Sequence, residues 1–250
     1  MFGLSFGRDK ERRVVIVDIG SSSAAVGVLI VDKKGKSRLI ASHRSFIPYE
    51  KRTKEQFAAR MGSAIEEAST NVMKSLSLKY DQHTIPLTET YVFFRAPWVD
   101  AQVTKLTKKF NEETRITKEH IDSLSKQAVN ADQKLLEAVV LRLEINGYST
   151  PEAIGKSGHS LSVYALVSTV DKDLQKTAQQ YVEKSFPHLE TYWRSHTRAL
   201  IYGVRELPKH PKNSLIIDIS SEGSQLLVVR DGILEASSTF ETGVHSILIS

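Results

Sequence analysis

The sequence predicts an α/β protein built by duplication, with two lobes of related design and a small α+β unit inserted into the first. Three observations predict it: a strand–turn–strand pattern around an Asp-Ile pair occurs twice, an amphipathic helix follows the first copy, and a stretch with its own strand and helix signals separates the copies. At 250 residues and 40% hydrophobic, the chain can bury the cores this plan needs.

Residues 1–11 read as a flexible tail. Phe2, Leu4 and Phe6 precede Arg8, Lys10, Arg12 and Arg13, the reverse of a secretory signal. That order suits peripheral contact with a membrane surface, although a frayed end is the plainer reading. The first lobe is expected from residues 12–86 and 170–211. Residues 14–19 form a β-branched run ending in Asp18-Ile19-Gly20, residues 24–31 a second apolar run, and Leu39, Ile40 and Phe46 a third beyond the turn at Asp32-Lys33-Lys34-Gly35-Lys36. From residue 53 to 76, Phe57, Met61, Ile65, Ala68, Val72 and Leu76 recur every three or four positions, one buried face of a helix.

The inserted unit is expected over residues 87–169. A strand begins at Tyr91, Thr117 caps a helix through Ile121 and Leu124, and strands cover residues 138–145 and 161–167. The stretch 146–159, with three glycines and a proline, reads as a turn or mobile loop. A helix over 171–185 returns to the first lobe, burying Leu174, Ala178, Tyr181 and Val182. Residues 212–250 then open a second, incomplete lobe: a strand at 215–219 ending in Asp218-Ile219-Ser220, a strand at 226–229, the turn Arg230-Asp231-Gly232 and a strand from Ile233.

Composition excludes several chemistries. Without cysteine there is no disulfide scaffold, thiolate metal site or cysteine catalysis, which fits a reducing cytoplasm. No apolar run reaches the roughly 20 residues of a spanning helix. The net charge of +5 comes from scattered residues, the densest stretch being Lys105, Lys108 and Lys109, so no nucleic-acid surface is expected. No histidines stand at HxxxH or HxH spacing, and no nucleophile elbow surrounds Ser21–Ser23. Trp98 and Trp193 read as packing residues before partner anchors.

The two turns are the candidate site. Gly20 followed by Ser21, Ser22 and Ser23 makes a tight hairpin whose backbone N–H groups can point at a phosphate, and small side chains allow close approach. Asp18, at the strand end, is placed to orient a magnesium-bound water. Asp218 and the turn Ser220, Ser221, Gly223 and Ser224 offer the same from the other lobe, so two turns facing across a cleft would grip a nucleotide.

The run Val14-Val15-Ile16-Val17-Asp18-Ile19-Gly20-Ser21-Ser22-Ser23 resembles the first phosphate motif of the actin and sugar-kinase superfamily, and residues 215–232 with 239–243 resemble the second. Within that superfamily Tyr91-Val92-Phe93-Phe94, Ile116-Thr117-Lys118-Glu119-His120-Ile121 and Leu161-Ser162-Val163-Tyr164 resemble the 1C domain of the FtsA/PilM group. Pro97-Trp98 is similar to the FtsA-like form of minimal bacteria. The resemblance implies a ribonuclease H-like, actin-like duplicated fold with a 1C-type insertion, and ATP with Mg held by the residues above, Asp18 and Asp218 on the metal side. It implies a bacterial, cytoplasmic scaffold at the inner face of the cell membrane, linking division proteins as FtsA does and self-associating through the inserted unit. The alternative it offers is a PilM-like platform for type IV pilus assembly, gripping a short peptide of an inner-membrane pilus protein. A small-molecule kinase of the superfamily comes third, since nothing after Ser160 supplies a catalytic aspartate with a substrate pocket.

The departures set expectations of their own. Where members often carry lysine or glutamine after the first turn, this chain has Ser23, Ala24 and Ala25. Where they read Asp-Ile-Gly-Gly, it has Asp218-Ile219-Ser220-Ser221-Glu222-Gly223-Ser224-Gln225. Losing both glycines narrows the approach to the backbone. No catalytic residue is assigned, and at most a weak ATPase is expected.

Overall fold

The computed structural model describes residues 11–49, 53–80, 86–128, 135–209 and 211–249; the tail reading of residues 1–11 lies almost wholly outside them. Along the chain, strands β1 (Arg12–Ile19), β2 (Ser23–Val31) and β3 (Ser37–Phe46) precede helix α1 (Lys54–Lys79) and strand β4 (Leu87–Phe94). Then come β5 (Val99–Arg115), α2 (Lys118–Gln127), β6 (Leu135–Ile145), β7 (Tyr148–Thr150) and β8 (Ser157–Val170). Helix α3 (Lys172–Ser185), strand β9 (Glu190–Ser195) and helix α4 (His196–Arg205) lead to β10 (Ser214–Ile219), β11 (Ser224–Arg230), β12 (Ile233–Phe240) and α5 (Val244–Ile249).

The first sheet has the order β3-β2-β1-β4-β9. β1 to β3 form the expected antiparallel meander, with Asp32 Oδ1 accepting from the Lys34 and Lys36 N–H groups at its turn, both at 2.8 Å. β4 runs parallel to β1 and β9 parallel to β4. The sequence starts the inserted unit at residue 87, but β4 belongs to this first sheet, so the inserted sheet begins after it, at Val99.

Helix α1 starts where its chemistry dictates. Thr53 Oγ1 accepts from Gln56 N–H at 3.3 Å while Gln56 Oε1 accepts from Thr53 N–H at 2.9 Å, a reciprocal cap that satisfies two otherwise orphaned donors. All six residues of the anticipated stripe are buried, packing with Val15, Val17, Val26 and Val28 of the sheet and with Leu174, Ala178 and Val182 of α3. The helices cross at Gly62, where an added Cβ would lie 2.2 Å from a ring carbon of Tyr181.

The inserted sheet has the order β5-β8-β6-β7. Its α2 side buries Ile116, Ile121, Leu124, Leu143, Leu161 and Val163. The stretch 146–159 takes the first of its two readings, a turn. Asn146 and Gly147 take left-handed conformations (φ 51° and 82°) at a hairpin into β7, and Asn146 Oδ1 accepts from the His159 and Ser160 N–H groups at 2.8 and 3.1 Å. The 17-residue strand β5 was not legible, and neither were β9 and α4.

The third sheet, β10-β11-β12, repeats the first meander in register: Asp18 pairs with Ala25 and Ile19 with Ala24, as Asp218 does with Gln225 and Ile219 with Ser224. β1 and β10 lie in different sheets. Leu227, Val229 and Leu234 of this sheet pack with Ala101 and Leu166 of the inserted sheet and Ile201 of α4. Ser237 Oγ donates to the Ala101 carbonyl, so the inserted unit also braces the second lobe.

Candidate functional site: two joined turns around an arginine

The duplicated turns are equivalent in backbone detail. Gly20 N–H donates to the Ser23 carbonyl at 2.9 Å, and Ser220 N–H to the Gly223 carbonyl at 2.8 Å. Ser22 accepts at its carbonyl from Ile47 N–H at 2.7 Å, and Ser23 Oγ accepts from Arg44 Nη1 at 2.6 Å. Ser220 Oγ lies 2.9 Å from the Ala96 carbonyl and 2.7 Å from that of Gly223, while Ser224 Oγ donates to the Thr242 carbonyl at 2.6 Å. The Ser220 and Ser221 carbonyls accept from Val244 and His245 at 3.0 and 3.1 Å, docking the start of α5 on the second turn.

The sequence-predicted residues are brought together, but more tightly than two turns across a cleft. Glu222 N–H of the second turn donates to Ser21 Oγ of the first at 3.1 Å. Gly223 sits directly on Pro97: a Cβ there would lie 2.8 Å from the proline nitrogen. The expected gap between the turns is closed by protein.

At its centre stands Arg95, which sequence reasoning missed. β4 runs parallel to β1 with Phe93 opposite Asp18 and Phe94 opposite Ile19, so the next residue is delivered beside the first turn. Arg95 N–H donates to the Ile19 carbonyl at 2.9 Å. Its guanidinium grips Asp18 with a planar fork: Nε is 2.8 Å from Oδ1 and Nη2 is 2.9 Å from Oδ2. Nη1 lies 3.9 Å from Asp218 Oδ1, close enough for attraction though too long for a hydrogen bond. His196, the first residue of α4, places Nε2 3.5 Å from the other Asp218 oxygen. Burial works against the charged form of Arg95, but the Asp18 hydrogen bonds and the two carboxylates outweigh it and raise its pKa. For His196, burial is the largest influence and the Arg95 charge adds to it; together they outweigh the pull of Asp18 and Asp218 and lower its pKa. The site therefore groups Asp18, Asp218 and Arg95 with an imidazole whose lowered pKa favours its neutral form.

These residues do not fit a magnesium-bound triphosphate. Both oxygens of Asp18 are engaged by Arg95, and Asp218 is shared between Arg95 and His196. Among the described residues no cluster of three or more His, Cys, Asp or Glu side chains could hold a metal ion. The space beside the joined turns, a cavity of about 520 Å³, is walled by Glu222 and Glu241 with Tyr49, Trp98 and His245. Its Lys54 is engaged by Asp171 and Asp173, leaving a lining that repels a polyanion.

One signal could have revealed Arg95: an arginine directly follows Phe93-Phe94, at the C-terminal end of a strand. Its meaning depends on that strand lying parallel to β1, which the sequence does not state. His196 had no signal, because α4 itself was not recognised.

No family model matches the chain, and no curated protein matches it by sequence. Solved structures do. The chain is similar to a structure of the PilM–PilN type IV pilus biogenesis complex, at 12% identity and a TM-score of 0.56, over 92% of this chain and 62% of that one. It is also similar to a protein of actin-like ATPase fold and unknown function from Bacteroides thetaiotaomicron (9% identity, TM-score 0.40, 99% and 76% of the two chains). A third match is the ethanolamine utilization protein EutJ from Carboxydothermus hydrogenoformans (11%, 0.45, 92% and 52%). The chain thus spans under two thirds of the PilM-complex chain. At these identities the likeness is one of fold, shared with the PilM-complex chain.

Proposed function

We propose that this chain is a protein-binding scaffold, a pilus-assembly platform similar to PilM, working at the cytoplasmic face of the membrane through protein contacts instead of ATP turnover. The observation that carries the reading is the likeness to a PilM–PilN complex over 92% of the chain. The closed, arginine-filled site supports it, because phosphoryl chemistry depends on placing cations around the transferred group. The partner surface we assign is the open edge of the inserted sheet. Among the described residues β7 pairs only with β6, and Tyr148 and Ile154 stand exposed beside it at 80% and 61%. An extended segment can add to such an edge through backbone hydrogen bonds, with side-chain pockets setting its identity. No helix of the described residues is long and apolar enough to cross a membrane.

The test is calorimetric titration with the cytoplasmic segment of a PilN-type inner-membrane protein from the same genome. Micromolar binding is expected, lost in Ser149→Pro, which removes a donor from β7 and disfavours the added strand. Absence of binding would sink the pilus reading. The FtsA-type division scaffold is the second reading, since the same open edge allows one copy to pair with another. Concentration-dependent polymers that Ser149→Pro abolishes, without peptide binding, would move the assignment to it.

A further inference from the structure

We infer that Arg95 is a built-in cation that takes the place of a metal-bound nucleotide and holds the two lobes shut, so that the chain keeps its closed shape without any ligand. In a two-lobed fold with an aspartate at each lobe's central turn, bringing the lobes together brings two carboxylates together. Something positive must lie between them, because like charges repel strongly in a partly dry site. In this chain that charge is covalently part of the protein. Arg95 stands between Asp18 of the first lobe and Asp218 of the second, at 2.8 and 3.9 Å, and is fixed at its backbone by the Ile19 carbonyl.

The closure has further components, all crossing between the lobes. Glu222 N–H meets Ser21 Oγ, Ser220 Oγ reaches the Ala96 carbonyl, and Gly223 rests on Pro97. Two serines of the turns take part in this closure. Ser220 supplies the hydroxyl that ties the second turn to the residue after Arg95. The serine at 21 supplies the acceptor for the opposite turn. A glycine at either place would remove that hydrogen bond. Gly223 lies where the second turn meets Pro97, with space for no side chain between them.

The prediction separates this chain from a nucleotide-clamped one. A ligand present at about a hundred times its dissociation constant raises a melting temperature by several degrees. Wild-type protein should show no such shift with magnesium, ATP or both together, and none on adding a chelator. Arg95→Ala and Arg95→Gln leave Asp18 and Asp218 facing each other without their cation. Both variants should melt lower than wild type, and magnesium alone should recover part of the loss. Arg95→Lys, which keeps the charge and loses the fork, should melt lower than wild type yet remain indifferent to magnesium. A wild-type shift with magnesium-ATP overturns the inference, as does a folded Arg95→Gln that is blind to magnesium. Should neither neutral variant fold, the wild-type titration still decides. Scaffold activity is read separately, by peptide binding, so failure of one proposal leaves the other standing.

Discussion

Glu137 ties the inserted sheet to the first lobe, and removing it should be among the costliest single changes in the molecule. Its carboxylate, on β6, is 4% exposed and accepts three hydrogen bonds: from Ser195 N–H at 2.8 Å, Ser195 Oγ at 2.7 Å and Arg198 Nη1 at 2.9 Å. Ser195 caps α4, so the charge also lies at a helix N-terminus, and Arg194 Nε approaches to 3.8 Å. Glu137→Ala strands a buried N–H and a largely buried guanidinium together. Breaking a buried ion pair from one side costs about 3–5 kcal/mol, and an orphaned buried donor about 1–3 kcal/mol. These costs overlap, because the released Arg198 can turn toward solvent, so we expect about 4 kcal/mol. Glu137→Gln keeps an acceptor for Ser195 but sets an amide donor against Arg198, and should cost about 2 kcal/mol. Urea unfolding followed by tryptophan fluorescence measures both, Trp193 lying two residues from Ser195. With a slope of about 2–3 kcal/mol per molar urea, the alanine midpoint should fall by about 1.5–2 M and the glutamine midpoint by about half that. A loss under about 1 kcal/mol for alanine, or equal losses for the two variants, would show that the network does not hold the unit in place.

Two further outcomes can be checked in the same apparatus. Stability should decline as pH falls below 6.5, the ordinary imidazole value, toward the lowered value of folded His196. Over that interval the unfolded chain binds a proton that the folded site, facing Arg95 as well as Asp18 and Asp218, resists, so stability rises with pH there. His196→Gln should flatten that slope, and an unchanged slope would exclude the histidine as its source. Gly62→Val should destabilise by about 1–3 kcal/mol, because the added side chain displaces Tyr181 where α1 and α3 cross; a neutral midpoint would show that the crossing is loose.

What the sequence revealed follows from how local the signals were. The α1 stripe and the twin Asp-Ile turns are short-range patterns, and each stands in the structure where its residues place it. β5 was hidden because Lys105, Lys108 and Lys109 read as solvated surface; in the structure they lie along a strand whose burial comes from β8 and α2. The boundary at 87 failed for a related reason. Whether residues 87–94 join the first sheet or the inserted one depends on their pairing with β1, a long-range choice that their apolar composition allows either way. Arg95 depended on the same pairing, so one unreadable register concealed both the unit boundary and the cation at the candidate site.

The duplicated strands β1 and β10, alike in register and motif, differ in what surrounds them. β1 is hydrogen-bonded on both sides and covered by α1, with Val15, Val17 and Ile19 fully inaccessible. Among the described residues β10 is paired only with β11, and Leu215, Ile217 and Ile219 face outward at 61%, 60% and 51%. Backbone amides exchange with solvent through the least costly opening that frees them. Those of β1 should therefore exchange only when the whole first lobe unfolds, and those of β10 through a local opening of far lower free energy. The same turn would then have two lifetimes, one held for as long as the lobe exists and the other released many times within it.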